Sequence, residues 1–249
     1  KNKERKKIGR ELRQIEENDS QKLKQKPLYD EFKKTKELIE QETKTKHYAE
    51  SYIAHQIRGL YDILQKKGFV DEELKPTQKG LNACYLHEVP CLTFCDVYEK
   101  YNKLNDYNEE DLLCLLSCFY DLKVKDDFKT HIPSRLKNEL TYIDESIQTY
   151  THEELQHQLY ITCQYKIQYD LMDYMKTWYE TVHNEDQSRF FFDTLKKEKD
   201  IFIGDFMKCC MKIINMCNEL KIFGENDENY AFVEKIIKIQ QKIQKNIVT

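Results

Sequence analysis

Thr77-Gln78-Lys79-Gly80-Leu81-Asn82-Ala83, Leu92-Thr93-Phe94-Cys95 and Leu115-Leu116-Ser117-Cys118-Phe119 stand in that order through the middle of the chain. The segments on either side of them carry helix signals. Upstream, the apolar stripe Ile53, Ile57, Leu60 and Leu64, with Tyr61 and Ile63 beside it, closes on Lys66-Lys67-Gly68. Cations in a last turn suit the helix dipole, and a following glycine suits a left-handed cap. Downstream, Asn108-Glu109-Glu110-Asp111 reads as an N-cap with carboxylates in the first turn, launching Leu112 to Phe119.

The pattern continues outward in both directions. Thr151-His152-Glu153-Glu154 has the spacing of a capping box. Leu171, Met172, Met175 and Trp178 form an apolar face, with the single tryptophan expected inside it. A polar insertion, Glu180 to Ser188, precedes Phe190-Phe191-Phe192, and two helices over about 203–221 and 228–247 finish the chain. In the second of these, Phe232, Ile236, Ile239, Ile243 and Ile247 recur at near-heptad spacing, which demands a helical partner. Towards the N-terminus, Ile8, Leu12 and Ile15 give a thin stripe that Asn18-Asp19-Ser20 interrupts. Lys26-Pro27 then starts a second helix carrying Leu28, Phe32, Leu38 and Ile39, proline being tolerated in a first turn. No β-hairpin pattern or internal repeat is visible. The expected fold is all-α: a multi-helix bundle over residues 47–249, with a basic helical hairpin or stalk over residues 1–46.

Composition agrees. Of the 249 residues 40% are hydrophobic, enough for one large helical domain with an appendage, and six Gly and four Pro leave little room for long loops. The net charge of −4 argues against a protein that simply coats nucleic acid. It is uneven, because residues 1–46 hold 15 Lys and Arg against 10 Asp and Glu, leaving −9 for the rest. A basic arm can meet phosphate, and an ordinary solvated helix has the same composition. Nine cysteines, an odd number set mostly in apolar helical patterns, suit small buried hydrophobes in a reducing compartment, cytoplasm or nucleus. No stretch reaches the roughly 20 apolar residues of a membrane span. The chain starts at Lys1 with no signal-peptide pattern, so its N-terminus is read as a cut.

Several chemistries lack their residues. There is no G-x-x-x-x-G-K-[ST] to wrap amides round a triphosphate and no D-E-x-H to hold magnesium. Cys84, His87, Cys91 and Cys95 cluster, but the paired C-x-x-C knuckles of a zinc ribbon are missing. His152 and His157 are five apart and point about 140° from each other on a helix, so they cannot share a metal. No nucleophile motif such as G-x-S-x-G occurs.

The ordered blocks resemble the helical DSH C-terminal domain that closes superkiller-type DExH-box RNA helicases. Leu64-Gln65-Lys66-Lys67-Gly68-Phe69 stands where that family has an L-G-F/Y segment. Its T-x-K-G-R-V-A pattern is matched at Thr77, Lys79, Gly80 and Ala83, with Leu81 in place of arginine. The L-L-S-C-F block is intact at 115–119, and L-M-x-x-V-x-x-W becomes Leu171 to Trp178. A further segment is reduced to Phe202-Ile203-Gly204-Asp205-Phe206-Met207-Lys208, which marks a diverged member. The resemblance implies an accessory region of an ATP-dependent helicase. Its ATP and Mg2+ would belong to motor lobes outside this sequence, and this region needs no cofactor of its own. Expected partners are single-stranded RNA, the RecA-like lobes and an RNA-processing or decay complex, with no membrane.

In that family a long "ratchet" helix lies across the RNA channel, and an arginine and a glutamate on it handle bases. Matching from Asp200, those positions fall on Lys212 and Asn215. The residues here have a pattern of their own. Within 203–221, Phe206, Met207, Cys210, Ile213, Ile214, Cys217 and Leu220 are apolar or thiol. Lys208, Lys212, Asn215 and Glu219 form one polar line at i, i+4, i+7 and i+11. An ordinary amphipathic helix with a wet face gives the same pattern. The expected RNA-binding residues are Lys208, Lys212 and Asn215, and none is expected to be catalytic or to bind metal. The other reading is a non-enzymatic helical scaffold or adaptor whose N-terminal segment binds a protein.

Overall fold

The computed structural model describes residues 2–120, 136–159 and 166–247, with the side chains of residues 2 and 21–25 left aside. Nine α-helices and one short 3-10 turn make up these residues, with no strand among them beyond an isolated bridge between Val70 and Pro76. The all-α expectation holds. The chain divides into two compact units, Lys1–Ile57 and Arg58–Thr249.

The first helix, α1 (Asn2–Lys66), runs 65 residues without a break, with Pro27 inside it. The expected interruption at Asn18-Asp19-Ser20 is absent, so of the two forms expected this is a single helix and not a hairpin. The reason is local: the Ser20 hydroxyl donates to the Glu17 carbonyl at 2.9 Å and so satisfies itself within the helix instead of capping a new one. Thr35, Thr43 and Thr45 bond back to Glu31, Ile39 and Gln41 in the same way. Ile8, Leu12, Ile15, Leu28, Phe32, Leu38 and Ile39 are all exposed. So are Ile53 and Ile57 at the start of the stripe that ends at Leu64; its packed members are Leu60, Ile63 and Leu64.

In the second unit α1 ends as its sequence foretells. Gly68 takes φ +76°, the Gly68 N–H donates to Gln65 O at 3.0 Å, and the Phe69 N–H donates to Leu64 O at 2.8 Å. These two bonds define a Schellman cap. The Thr77 hydroxyl then donates to Gly68 O at 2.7 Å and accepts from the Gly80 N–H, capping α2 (Gln78–Ala83). The Lys79 ammonium lies 2.6 Å from Asp96, 2.9 Å from Glu99 and 4.7 Å from the centre of the Phe69 ring. Burial opposes its charge, but the two carboxylates outweigh that and raise its pKa. The T-x-K-G residues therefore knit the end of α1 to α2 and to α3 (Cys91–Lys100).

The remaining helices are α4 (Glu109–Ser117), α5 (Lys137–Gln156), α6 (Met172–Thr181), α7 (Glu185–Lys199), α8 (Ile203–Asn226) and α9 (Tyr230–Ile247). Asn108 caps α4, accepting from the Asp111 N–H at 2.9 Å. Thr151 caps nothing. It sits within α5 and donates to Ile147 O at 2.9 Å, while Glu153 meets Lys66 at 2.7 Å and Lys67 at 3.5 Å. The polar insertion is likewise structured, since Asn184 accepts from the Gln187 N–H at 3.0 Å and starts α7.

The core is helix on helix. The partner demanded by the apolar repeat of α9 is α8, folded back through a short turn, and Phe232, Ile236, Ile239 and Ile243 are fully buried. Gly224 permits the approach, because a Cβ there would lie 2.7 Å from Val233. One aromatic cluster joins Phe94, Tyr98, Phe223 and Phe232, and another gathers Trp178, Phe191 and Phe192 round Phe206. Cys95, Cys114, Cys118, Cys209, Cys210 and Cys217 are buried free thiols; Cys163 lies outside the described residues. Burial pushes Cys114, Cys209 and Cys217 up to about 12, so they act as small hydrophobes and not as nucleophiles.

A left-handed turn, Asn102–Leu104, carries φ values of 49°, 54° and 57°. Such backbone costs about 1–2 kcal/mol per non-glycine residue, so something must hold it. The Asn229 amide donates to Lys103 O at 3.1 Å, and the Lys103 ammonium reaches Asp227 at 2.8 Å. Asp227 also accepts from Tyr98 at 2.9 Å and Asn82 at 3.1 Å. Burial pushes the Asp227 carboxyl up, but the donors Lys103, Tyr98 and Asn82 outweigh it and hold the carboxyl below its ordinary value. A depressed folded pKa gives stability that is present above the unfolded value, about pH 4, and lost as pH falls through the folded value. Acid titration of unfolding by urea should therefore show a shallower loss of stability below about pH 4 in Asp227→Asn than in the wild type. Equal slopes would remove Asp227 from the acid response.

Candidate nucleic-acid interface

Helix α8 is amphipathic because its apolar residues recur at 3, 4 and 7. Phe206, Cys209, Cys210, Ile213, Ile214, Met216, Cys217, Leu220 and Phe223 are buried. Lys208, Met211 and Asn215 are exposed, and Lys212 and Glu219 half-buried. The polar line thus faces outward along one side of the helix. It borders an open depression of about 440 Å³ lined by Tyr120, Gly204, Met207, Lys208, Met211, Lys212 and Asn215.

The three expected residues therefore share one surface feature. Lys208 pairs with Asp205 at 2.9 Å, an exposed i, i+3 contact. The hydrogen bond and charge of Asp205 raise the Lys208 pKa. The Lys212 ammonium pairs with Glu88, and the Asn215 amide donates to the other oxygen of the same carboxylate at 3.4 Å. Glu219 at the far end accepts from the backbone N–H groups of His87 and Glu88, both at 2.9 Å. Each cation on the line thus has a carboxylate beside it, and the surface is not a bare positive stripe.

Sequence reading missed four members. Met211, 50% exposed, and Met207, which its helical spacing put on the apolar side, line the depression with apolar surface. Tyr120 comes from just beyond α4. Glu88 lies 124 residues before Lys212, and no local periodicity could announce it. The His152–His157 segment stays separate from this surface: His152 bonds Gln156 at 2.9 Å, and Glu153 serves the end of α1. Among the described residues no group of three or more His, Cys, Asp or Glu is placed to hold a metal ion, and no helix is long and apolar enough to cross a membrane.

The fold and this surface define an all-helical domain whose central apolar helix turns one polar line outward. The DSHCT (NUC185) domain profile matches residues 73–249, and the chain belongs to that family. This domain is associated with superkiller-type DExH-box helicases. No curated protein matches the sequence.

Proposed function

We propose that this chain is a C-terminal accessory region of an ATP-dependent DExH-box RNA helicase, with α8 as the helix that contacts the unpaired strand. The observation carrying this reading is the outward line Lys208, Lys212 and Asn215 beside an open depression, on a helix whose apolar face is buried. The lysines meet phosphate as point charges, while Asn215 offers both a donor and an acceptor to a base edge. Neither forks as arginine does, so base preference is weak. Met207 and Met211 add a polarizable floor against which a base can rest. The parent enzyme would unwind RNA 3′ to 5′ and pass it to processing or decay machinery, with residues 1–46 as part of a stalk. ATP and Mg2+ would be held by the RecA-like lobes, for which this sequence offers no phosphate loop.

In the complete helicase, Lys212→Ala should weaken binding of single-stranded RNA roughly three- to tenfold, the scale of one phosphate contact, and lower RNA-stimulated ATP hydrolysis. Its melting temperature should stay within about 2 °C of wild type, as for a partly exposed side chain. Unchanged RNA affinity and unwinding would defeat this assignment. A second reading, a helical adaptor, draws on the exposed apolar residues along the first unit, Ile8 to Ile39. Coding sequence upstream of Lys1 decides between them: a phosphate loop and DExH box favour the helicase.

A further inference from the structure

We propose that Glu88 is the built-in occupant of the strand-binding surface, a carboxylate that RNA phosphate must displace to reach Lys212 and Asn215. The inference rests on the reading of α8 given above and adds a residue that controls it. One carboxylate engages both residues, with one oxygen on the Lys212 ammonium and the other on the Asn215 amide. A phosphodiester offers the same chemistry, two anionic oxygens that accept from an ammonium and an amide.

The placement of Glu88 is built, not incidental. It sits in the short connection between α2 and α3, where Leu86 and Val89 are buried anchors on either side. Glu219 accepts from the main-chain N–H groups of His87 and Glu88 at 2.9 Å each. The loop backbone is thus pinned to α8, whatever the side chain at position 88. That leaves the Glu88 side chain free to exchange. The Glu88 and Lys212 side chains are 25% and 30% exposed, so water and a ligand can reach the pair. Partly solvated pairs are weak, so a strand with several contacts displaces one readily. An occupant of this kind keeps the grip on each phosphate weak and helps release a moving strand.

The test uses the full chain with a fluorescent single-stranded oligouridine, read by anisotropy over a salt series. Glu88→Gln keeps the loop amides and removes the charge, so it should bind roughly three- to tenfold tighter than wild type, since a like charge a few ångströms from the phosphate is gone. Its salt dependence should also steepen by about 0.7 in the log–log slope, the value for one added single-strand phosphate contact. Adding Lys212→Ala to Glu88→Gln should abolish the gain. Glu88→Ala, a second route to charge removal, should reproduce it. If Lys212→Ala weakens binding while both Glu88 variants leave affinity and slope unchanged, the occupant role is overturned and the strand surface stands. Should Lys212→Ala and Asn215→Ala leave affinity untouched, the surface itself fails and the occupant role falls with it.

Discussion

Gly80→Ala should lower the stability of the second unit by about 3 kcal/mol, the upper end for overpacking a tight site. A Cβ at this position would stand 2.0 Å from the Phe69 carbonyl oxygen and 3.1 Å from its carbon, both backbone atoms. No rotamer change relieves such a clash, so α2 must move away from the end of α1. The movement loosens Thr77, whose backbone N–H donates to Phe69 O at 3.0 Å, and draws Lys79 from Asp96 and Glu99. For a domain of this size the loss corresponds to a fall of roughly 6–12 °C in Tm. Gly204→Ala is the matched control, with open space within 4 Å, and should be neutral or slightly stabilising. Equal melting of the two variants would mean that the close approach of α2 to Phe69 is not a constraint.

Phe206→Ala should cost about 3–5 kcal/mol, the usual range for truncating a buried phenylalanine. Its ring is fully buried, with centroids 6.2 Å from Trp178, 5.5 Å from Phe191 and 5.8 Å from Phe192. Three segments, α6, α7 and α8, meet at that one side chain. Its loss leaves a cavity that helices cannot close without shifting whole turns. Met211→Ala, five residues on along the same helix and exposed, should change stability by no more than about 0.5 kcal/mol. Urea unfolding followed by Trp178 fluorescence separates the two. A small effect at Phe206 would place the load of this cluster elsewhere.

Much of the fold was legible because its signals are periodic or local. The Lys66-Lys67-Gly68 ending and the Asn108 cap each rest on residues within one turn of each other, and both are realised. The errors came from signals that local chemistry can satisfy in two ways. Asn18-Asp19-Ser20 looked like a break, but Ser20 bonds back along its own helix. Thr151 looked like a cap for the same reason and does the same thing. The T-x-K-G block was visible as a pattern, yet its meaning is geometric: a cap, a bridged ammonium and a glycine against a carbonyl. At the candidate surface, Lys208, Lys212 and Asn215 share one helix, so a period of 3.6 aligned them. Glu88 and Tyr120 come from other parts of the chain, and only packing brings them there.

The sequestering of six thiols has a practical side. Among the described cysteines Cys84 alone is exposed, and it stands four residues ahead of Glu88 on the same short connection. Dyes or spin probes that attach to sulfur can thus be seated next to the loop while the interior sulfurs stay shielded. Evolution's choice of cysteine as core filler leaves a natural attachment point beside the segment whose motion one would most want to watch.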